Sequence, residues 1–444
     1  MLVNFTFENW QSFRNKTTLS LVASRERQHS ERIPKNTKYK IGILPVAAIY
    51  GGNASGKTKL FNALAFAKKF IVRVTQPESS IAREYFKLDN ECAKKPSKFT
   101  FELLVDDIFY EFSFAVTNSH VIEEKLIKII GNKEKILYHR TQNKKIMFPD
   151  DITLQKDQRL QFVAEGTREN QLFLTNTVDQ KIEHFKKIYD WFKYTLILIS
   201  PNTSFDIFGQ LMQEGLTLNE KMNNTLTELD TGITRLGSEN IPIENLPIPE
   251  NIKTKILEEL PEGDSSLYSL ENRIVLTKNN GVLSAKKLVA YHKSSTGKDI
   301  IFDLEQESAG TLRMFDLLPG LFSLCDHNTS KVFVIDELDR CLHTLLTRTL
   351  LETFFASCSQ KTCSQLLFTT HDALLIDQKL FRRDEIWVAE RDKQGCTSLI
   401  SFGEYKNIRF DKDIRKSYLQ GHLGGIPKIR LLNIPGSKNK KNNK

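Results

Sequence analysis

The run Gly51-Gly52-Asn53-Ala54-Ser55-Gly56-Lys57-Thr58 fits G-x-x-x-x-G-K-[ST] without a mismatch, and its residue types are those needed to grip the phosphates of a nucleotide. Glycines at 51 and 56 let the backbone turn tightly, so that N–H groups such as those of Asn53 and Ser55 wrap anionic oxygens. Lys57 can reach the β- and γ-phosphates of ATP, and the Thr58 hydroxyl is placed to ligate Mg²⁺. A second run, Lys331-Val332-Phe333-Val334-Ile335-Asp336-Glu337, ends an apolar segment in two adjacent carboxylates. That layout places Asp336 beside the metal and Glu337 beside the γ-phosphate, where it can position and deprotonate the attacking water. Taken singly, the first could be a chance glycine-rich turn and the second a strand meeting a solvated acidic turn. Together they predict a nucleotide-phosphate site with a carboxylate placed to activate water.

Both runs need a sheet to hold them. Pro45–Tyr50 is a short apolar run of the kind that forms a buried parallel strand, and Leu60, Leu64, Ala67 and Ile71 follow at helical spacing. The phosphate loop therefore sits on a strand–loop–helix turn. Alternation at Val3, Phe5 and Phe7, and again through Phe99–Leu103 and Tyr110–Phe114 around an Asp106-Asp107 turn, predicts antiparallel strands. Further strands are expected over Val121–Ile130 and Lys135–His139, then a helix near Ile182–Phe192 and a buried strand over Tyr194–Ile199. Residues 200–270 read differently. Leu211, Leu216, Leu218, Met222, Leu226 and Leu229 suggest helices, followed by Pro242, Pro247, Pro249 and Pro261. This predicts an inserted helical lid outside the sheet, with β character resuming at Val282.

Lys57 and Asp336 are 279 positions apart, too far for a compact nucleotide-binding domain. The sheet must be interrupted by a large insertion and completed by the C-terminal part. The expected organisation is an N-terminal half over 1–199 with an antiparallel β subdomain, an insertion over 200–270, a C-terminal half over 271–430, and a flexible basic tail over 431–444. Ahead of Asp336 lies Glu307-Ser308-Ala309-Gly310-Thr311, opening a stretch with Leu312, Phe315, Leu318 and Leu321 at helical spacing. A serine, a small residue and a glycine at a helix start offer a hydroxyl and free N–H groups to an anion, or serve as an ordinary N-cap. Beyond it, Leu366-Leu367-Phe368 leads to Thr369-Thr370-His371, a strand that delivers a histidine at its end.

These pieces together resemble the ABC-type heads of the RecF/SMC group of P-loop ATPases, an α/β fold with a mixed sheet. The resemblance narrows with Glu307–Thr311, with Ile335-Asp336-Glu337-Leu338-Asp339 and Leu342-His343, and with Thr369-Thr370-His371. It extends to Phe381-Arg382-Arg383-Asp384-Glu385-Ile386-Trp387 and Tyr418-Leu419-Gln420-Gly421. Those runs are similar to the RloA-type AAA/ABC ATPases of bacterial restriction-linked and anti-phage operons, relatives of the OLD-family nucleases and of the ATPase subunits of the Septu (PtuA) and PARIS (AriA) systems. The resemblance implies that Ser308 and Gly310 close over the γ-phosphate bound by a second copy of the chain. It implies that His371 contacts the γ-phosphate and that Asp339 lies in the loop communicating across the dimer; His343 is either part of that loop or a surface residue. It also implies a switch that controls a separately encoded effector, with a nucleic acid or phage component among the possible partners. The chain departs from its relatives in showing no heptads, no C-x-x-C hook and no Toprim or HNH pattern. The glutamine that contacts Mg²⁺ in such heads has only Gln161 and Gln171 as candidates.

The bulk properties are ordinary for a soluble globular protein. The 444 residues are 40% hydrophobic and 26% charged, with no stretch of about 18 apolar residues and no basic-then-apolar leader. This predicts a cytoplasmic protein with no membrane association. Six scattered cysteines form no metal-knuckle spacing and read as reduced thiols. The balance of 63 basic to 54 acidic residues permits nucleic-acid contact without demanding it. An alternative reading is therefore a RecF-like DNA-binding repair protein gated by ATP, for which a salt-sensitive gel shift strengthened by ATP is the discriminating observation.

Overall fold

The computed structural model describes residues 1–425 apart from positions 37, 132, 202–216, 230, 247, 263–264, 270–273, 328 and 406–413. Leu211, Leu216 and Pro247 of the expected insertion, and the tail 431–444, lie outside the described residues. The fold is mixed α/β with several sheets. Strands are numbered in chain order.

A six-stranded sheet forms the centre, in the order β10 (Leu196–Ile199), β16 (Val332–Ile335), β17 (Gln365–Thr369), β5 (Val46–Tyr50), β18 (Ile386–Arg391) and β19 (Thr397–Ser401). Neighbours are parallel except β19, which runs antiparallel to β18. The central strands β5, β16 and β17 are buried on both faces, and the period of two sorts their side chains into two layers. Ala47, Ile49, Val332, Val334 and Leu367 join one core with Leu60, Leu64 and Ile71 of the helix Lys57–Val72. Val46, Ala48, Phe333, Ile335 and Phe368 join the opposite core, with Leu317 and Leu324 of the helix Ala309–Cys325 and Leu351 and Phe354 of the helix Thr344–Ser357. Because the strands are parallel, Gly51, Asp336 and Thr370 all emerge at one edge of the sheet.

Over the first core lies a six-stranded antiparallel sheet in the order β2 (Thr17–Ser20), β1 (Leu2–Glu8), β6 (Ser97–Val105), β7 (Ile108–Val116), β8 (Val121–Ile130) and β9 (Lys133–Thr141). Its inward positions are aromatic: Phe5, Phe7, Phe99, Phe101, Phe112 and Phe114 are buried in the same layer as the helix Lys57–Val72. Trp10, after β1, packs its ring 4.7 Å from Phe66 and donates Nε1–H to Lys59 O at 3.2 Å. The N-terminal sheet thus braces the helix that starts at Lys57. A small hairpin, β3 (Lys35–Asn36) with β4 (Ile41–Gly42), precedes β5.

The structure corrects the expectation of a helical lid over 200–270. Helices Thr217–Glu228 and Glu250–Glu259 are present, but β11 (Ile233–Ile241) pairs with β14 (Val282–Lys293) in a five-stranded antiparallel sheet. β12 (Ser265–Ser269) pairs with β13 (Ile274–Asn279) across the expected boundary at 270, and β15 (Asp299–Asp303) borders β14. The prolines flank these elements rather than breaking them: Pro242 follows β11, and Pro249 sits at the N-cap of the helix Glu250–Glu259. This α+β unit packs Leu226, Leu236, Leu288 and Ala290 against Met314, Phe315 and Leu318 of the helix Ala309–Cys325. A second, smaller correction concerns Tyr194 and Thr195, which lie in a π-helical turn over Trp191–Thr195 ahead of β10. Among the described residues no helix is long and apolar enough to cross a membrane, and all six cysteines are free.

Candidate active site

The phosphate loop joins the buried strand β5 to the helix Lys57–Val72, whose first residue is Lys57 itself. Gly56 is the N-cap at φ +111, and a Cβ there would lie 2.6 Å from Thr397 Oγ1 and 2.7 Å from Thr397 Cγ2. Both the backbone angle and the approach of β19 exclude a side chain at that position. The Lys57 side chain folds back over the loop. Its Nζ donates to Gly51 O at 2.6 Å and Gly52 O at 3.1 Å, and lies 3.2 Å from His371 Nδ1. Burial lowers the Lys57 pKa to about 8, against the raising pull of Asp336, Asp339 and Glu337.

His371 is held by the same charge. Its pKa is lowered, first by burial and then by the neighbouring Lys57 ammonium. With Nδ1 accepting from Lys57, the proton of the neutral ring sits on Nε2, which faces Glu337 Oε1 at 3.9 Å. The topology explains the contact: β17 lies between β5 and β16, so His371 leaves the sheet between the phosphate loop and the two carboxylates.

Asp336 and Glu337 are fixed by one hydroxyl. Ile335 pairs with Phe368, which sets Asp336 beside Thr369. Thr369 Oγ1 donates to Asp336 Oδ1 at 2.6 Å and accepts the Glu337 N–H at 2.8 Å. Glu337 has φ +52, a backbone conformation that costs a non-glycine residue about 1–3 kcal/mol and is maintained by its surroundings. The constraint turns the Glu337 side chain away from the strand direction and toward His371. Replacing Thr369 by valine keeps the shape but leaves a carboxylate oxygen and an N–H short of a partner, a loss of about 1–3 kcal/mol. If that cost falls on the catalytic geometry, turnover drops about ten- to a hundredfold at unchanged ATP affinity, measured by steady-state hydrolysis beside calorimetric binding. A T369V protein with wild-type turnover would remove Thr369 from the machinery.

Asn53, Ser55, Gly56, Lys57, Thr58, Glu337 and His371 line one cleft of ≈ 660 Å³. Gly51 and Asp336 are buried and are not among its lining residues. Asp339 supports the site from behind, accepting the His371 N–H on Oδ2 at 3.3 Å. His343 is the N-cap of the helix Thr344–Ser357, its Nδ1 accepting the Leu345 N–H at 3.2 Å. Ser308 and Gly310 are not among the residues lining this cleft. Ser308 is exposed at the N-cap of the helix Ala309–Cys325, where its Oγ accepts the Thr311 N–H at 3.0 Å. Gly310 presses against the loop after Glu337, and a Cβ on it would be 2.8 Å from Cys341 O. Gln161 and Gln171 do not line the cleft either: Gln161 borders a separate pocket with Arg140, and Gln171 is buried.

A family model described as "AAA domain, putative AbiEii toxin, Type IV TA system" matches residues 46–377. The chain belongs to this family. The match begins with β5 and runs past His371, so it takes in both nucleotide runs and the α+β unit between them. No curated protein matches the chain. As a member of this AAA family the chain carries a P-loop ATPase domain, and its residues fit the nucleotide and Mg²⁺ that such a domain takes. Ser55 Oγ is buried without a hydrogen-bond partner in the loop, and a helix N-terminus and a buried lysine converge on the same spot. Among the described residues no group of three or more His, Cys, Asp or Glu is placed to hold a metal ion. Mg²⁺ takes one or two protein ligands and completes its shell with phosphate oxygens and water. Here the ligands would be the Thr58 hydroxyl and Asp336.

Several residues of the AAA cleft carry no motif. Gln11 and Ser12 reach it from the loop after β1, Tyr85 and Leu88 from the segment before β6, and Arg391 from the end of β18. Thr397 closes the back of the loop, its Oγ1 lying 3.0 Å from Ser55 O and 2.8 Å from Ser12 Oγ.

Proposed function

We propose that this chain is an ATP-hydrolysing switch subunit of an anti-phage defence system, built as an ABC-type head that dimerises around ATP and controls a separately encoded effector. The observation that carries the reading is the separation of two half-sites on one chain. Lys57, Thr58, Glu337 and His371 gather in one cleft, while Ser308 and Gly310 present an exposed helix N-terminus elsewhere. A helix start of that kind attracts an anion, and the anion on offer is the γ-phosphate held by a second copy. The family's description, with its toxin–antitoxin label, supports a role in defence.

In this reading Lys57 and the loop amides hold the β- and γ-phosphates. Mg²⁺, when bound, neutralises charge on the phosphate oxygens. Glu337 takes the proton of the attacking water, and His371, whose Nε2 faces Glu337 at 3.9 Å, contacts the γ-phosphate and helps hold that water. Closing two heads is then an equilibrium biased by ATP and reset by hydrolysis.

The test is complementation between two inactive variants. Ser308→Arg blocks the offered helix start and Lys57→Ala removes the buried phosphate-loop ammonium, so each protein alone is expected to hydrolyse ATP poorly. Mixed subunits contain one intact composite site, and activity should return on mixing. Wild-type turnover by S308R alone, or a silent mixture of subunits shown to exchange, defeats the composite site.

A further inference from the structure

The Tyr418-Leu419-Gln420-Gly421 run leads into a turn that lies directly against the phosphate loop. The short helix Ile414–Leu419 ends as Gly421 N–H bonds to Tyr418 O at 2.8 Å, and the chain then doubles back through Gly424 and Gly425 at φ +71 and +70. Leu423 anchors the turn in the same core as Tyr50, Val388 and Tyr418. Its carbonyl accepts the Tyr405 hydroxyl at 2.9 Å. The turn delivers Gly425 O to the Gly52 N–H at 2.7 Å. A Cβ on Gly425 would lie 2.3 Å from Val388 Cγ1 and 3.6 Å from Gly51 Cα. The start of the phosphate loop is thus clasped from two sides: Lys57 takes the carbonyls of Gly51 and Gly52, and Gly425 takes the amide of Gly52.

We propose that the Leu423–Gly425 turn is a positioning element of the nucleotide site, setting the start of the phosphate loop so that the following amides converge on the phosphates. This rests on the ATP-binding reading of the loop. A side chain at Gly425 is opposed by its φ and by the buried Val388 methyl that a Cβ would meet at 2.3 Å. Among the described residues the hydrogen bonds of Leu423 and Gly425 go to Tyr405, Tyr418 and Gly52 and not to Thr369 or Glu337, so the effect falls on the grip on ATP rather than on the chemical step.

Three variants separate this from general damage, with ATP binding followed by titration calorimetry and turnover measured at saturating ATP. Gly425→Ala is expected to weaken ATP binding at least tenfold while kcat stays within about twofold of wild type. Gly421→Ala forces the same kind of backbone strain at φ +78 but has nothing within 4 Å of its Cβ, and should bind ATP as wild type does. Tyr405→Phe removes the hydroxyl on Leu423 O without adding bulk and should weaken binding two- to fivefold at unchanged kcat, which decides the matter if G425A does not fold. Wild-type ATP affinity in both G425A and Y405F overturns the proposal, as does an equal loss in G421A or a kcat that falls in step with affinity. A K57A protein serves as the reference: if it too binds ATP normally, the fault lies in the nucleotide reading and not in the turn.

Discussion

Replacing Lys57 by alanine is expected to lower ATP affinity by roughly 30-fold to several thousandfold, the consequence of about 2–5 kcal/mol for removing one partner of a buried, hydrogen-bonded charge pair. Lys57 is 4% exposed and lies among carbonyls and carboxylates at the start of the phosphate-loop helix. The same environment makes binding pH-dependent. Burial brings the Lys57 pKa to about 8, and the ammonium is the form that meets phosphate. Affinity should therefore be level below that value and fall as pH rises through 8, because ATP then has to supply the energy of reprotonation. Stability moves the other way. A lysine whose folded pKa lies below its unfolded one makes an unfavourable contribution below pH 8, which is relieved as pH rises from 8 toward 10.5. Weaker binding above pH 8 without any loss of melting temperature from this group is the signature. Titration calorimetry from pH 6.5 to 9.5, with K57A as the control that lacks the slope, checks it; a flat wild-type profile refutes the role of Lys57.

What was readable in the sequence follows the depth of burial. The strands β5, β16 and β17 are apolar on both faces, so they stand out as short uninterrupted runs such as Val332–Ile335, and the residues at their ends inherit a defined place. The N-terminal sheet was readable for a different reason, the alternation of buried Phe99, Phe101, Phe112 and Phe114 with polar neighbours. The α+β unit was readable only in part: the spacing of Met222 and Leu226 and the β character from Val282 match the helix Thr217–Glu228 and the strand Val282–Lys293, but the sheet before 270 left no pattern. Its strand Ile233–Ile241 pairs with Val282–Lys293, far along the chain, and contains Gly237, Ser238 and Asn240 where alternation would be expected. Register hides a further part of the site. Thr369 appears in the sequence as one of two threonines before a histidine, and only the pairing of Ile335 with Phe368 shows that its hydroxyl faces Asp336. Ser12, Thr397 and Gly425 come from segments with no motif and meet the phosphate loop through the fold alone. Tertiary proximity of small polar residues leaves no periodic trace.

Glu337→Gln is the substitution with the largest expected effect on turnover. The backbone at φ +52 and the bond from Glu337 N–H to Thr369 do not depend on the side chain, and glutamine matches its length and shape. His371 Nε2 faces Oε1 at 3.9 Å, too far for a hydrogen bond, so the substitution breaks none there. What glutamine cannot do is take a proton from water. General-base assistance is worth about a hundred- to ten-thousandfold, so hydrolysis should fall by that factor while ATP affinity changes by less than about threefold. The contrast with K57A is the informative part: one variant loses binding, the other keeps it and stalls. If the two half-sites close around ATP as proposed, stalling also traps the closed state, because hydrolysis is the step that resets it. Light scattering of the E337Q protein with ATP and Mg²⁺ should then show twice the mass of the chain, and the same protein with ADP should not. Turnover at the wild-type rate would move the general base away from Glu337, and a stalled protein that stays monomeric with ATP would leave the base in place while removing the dimer.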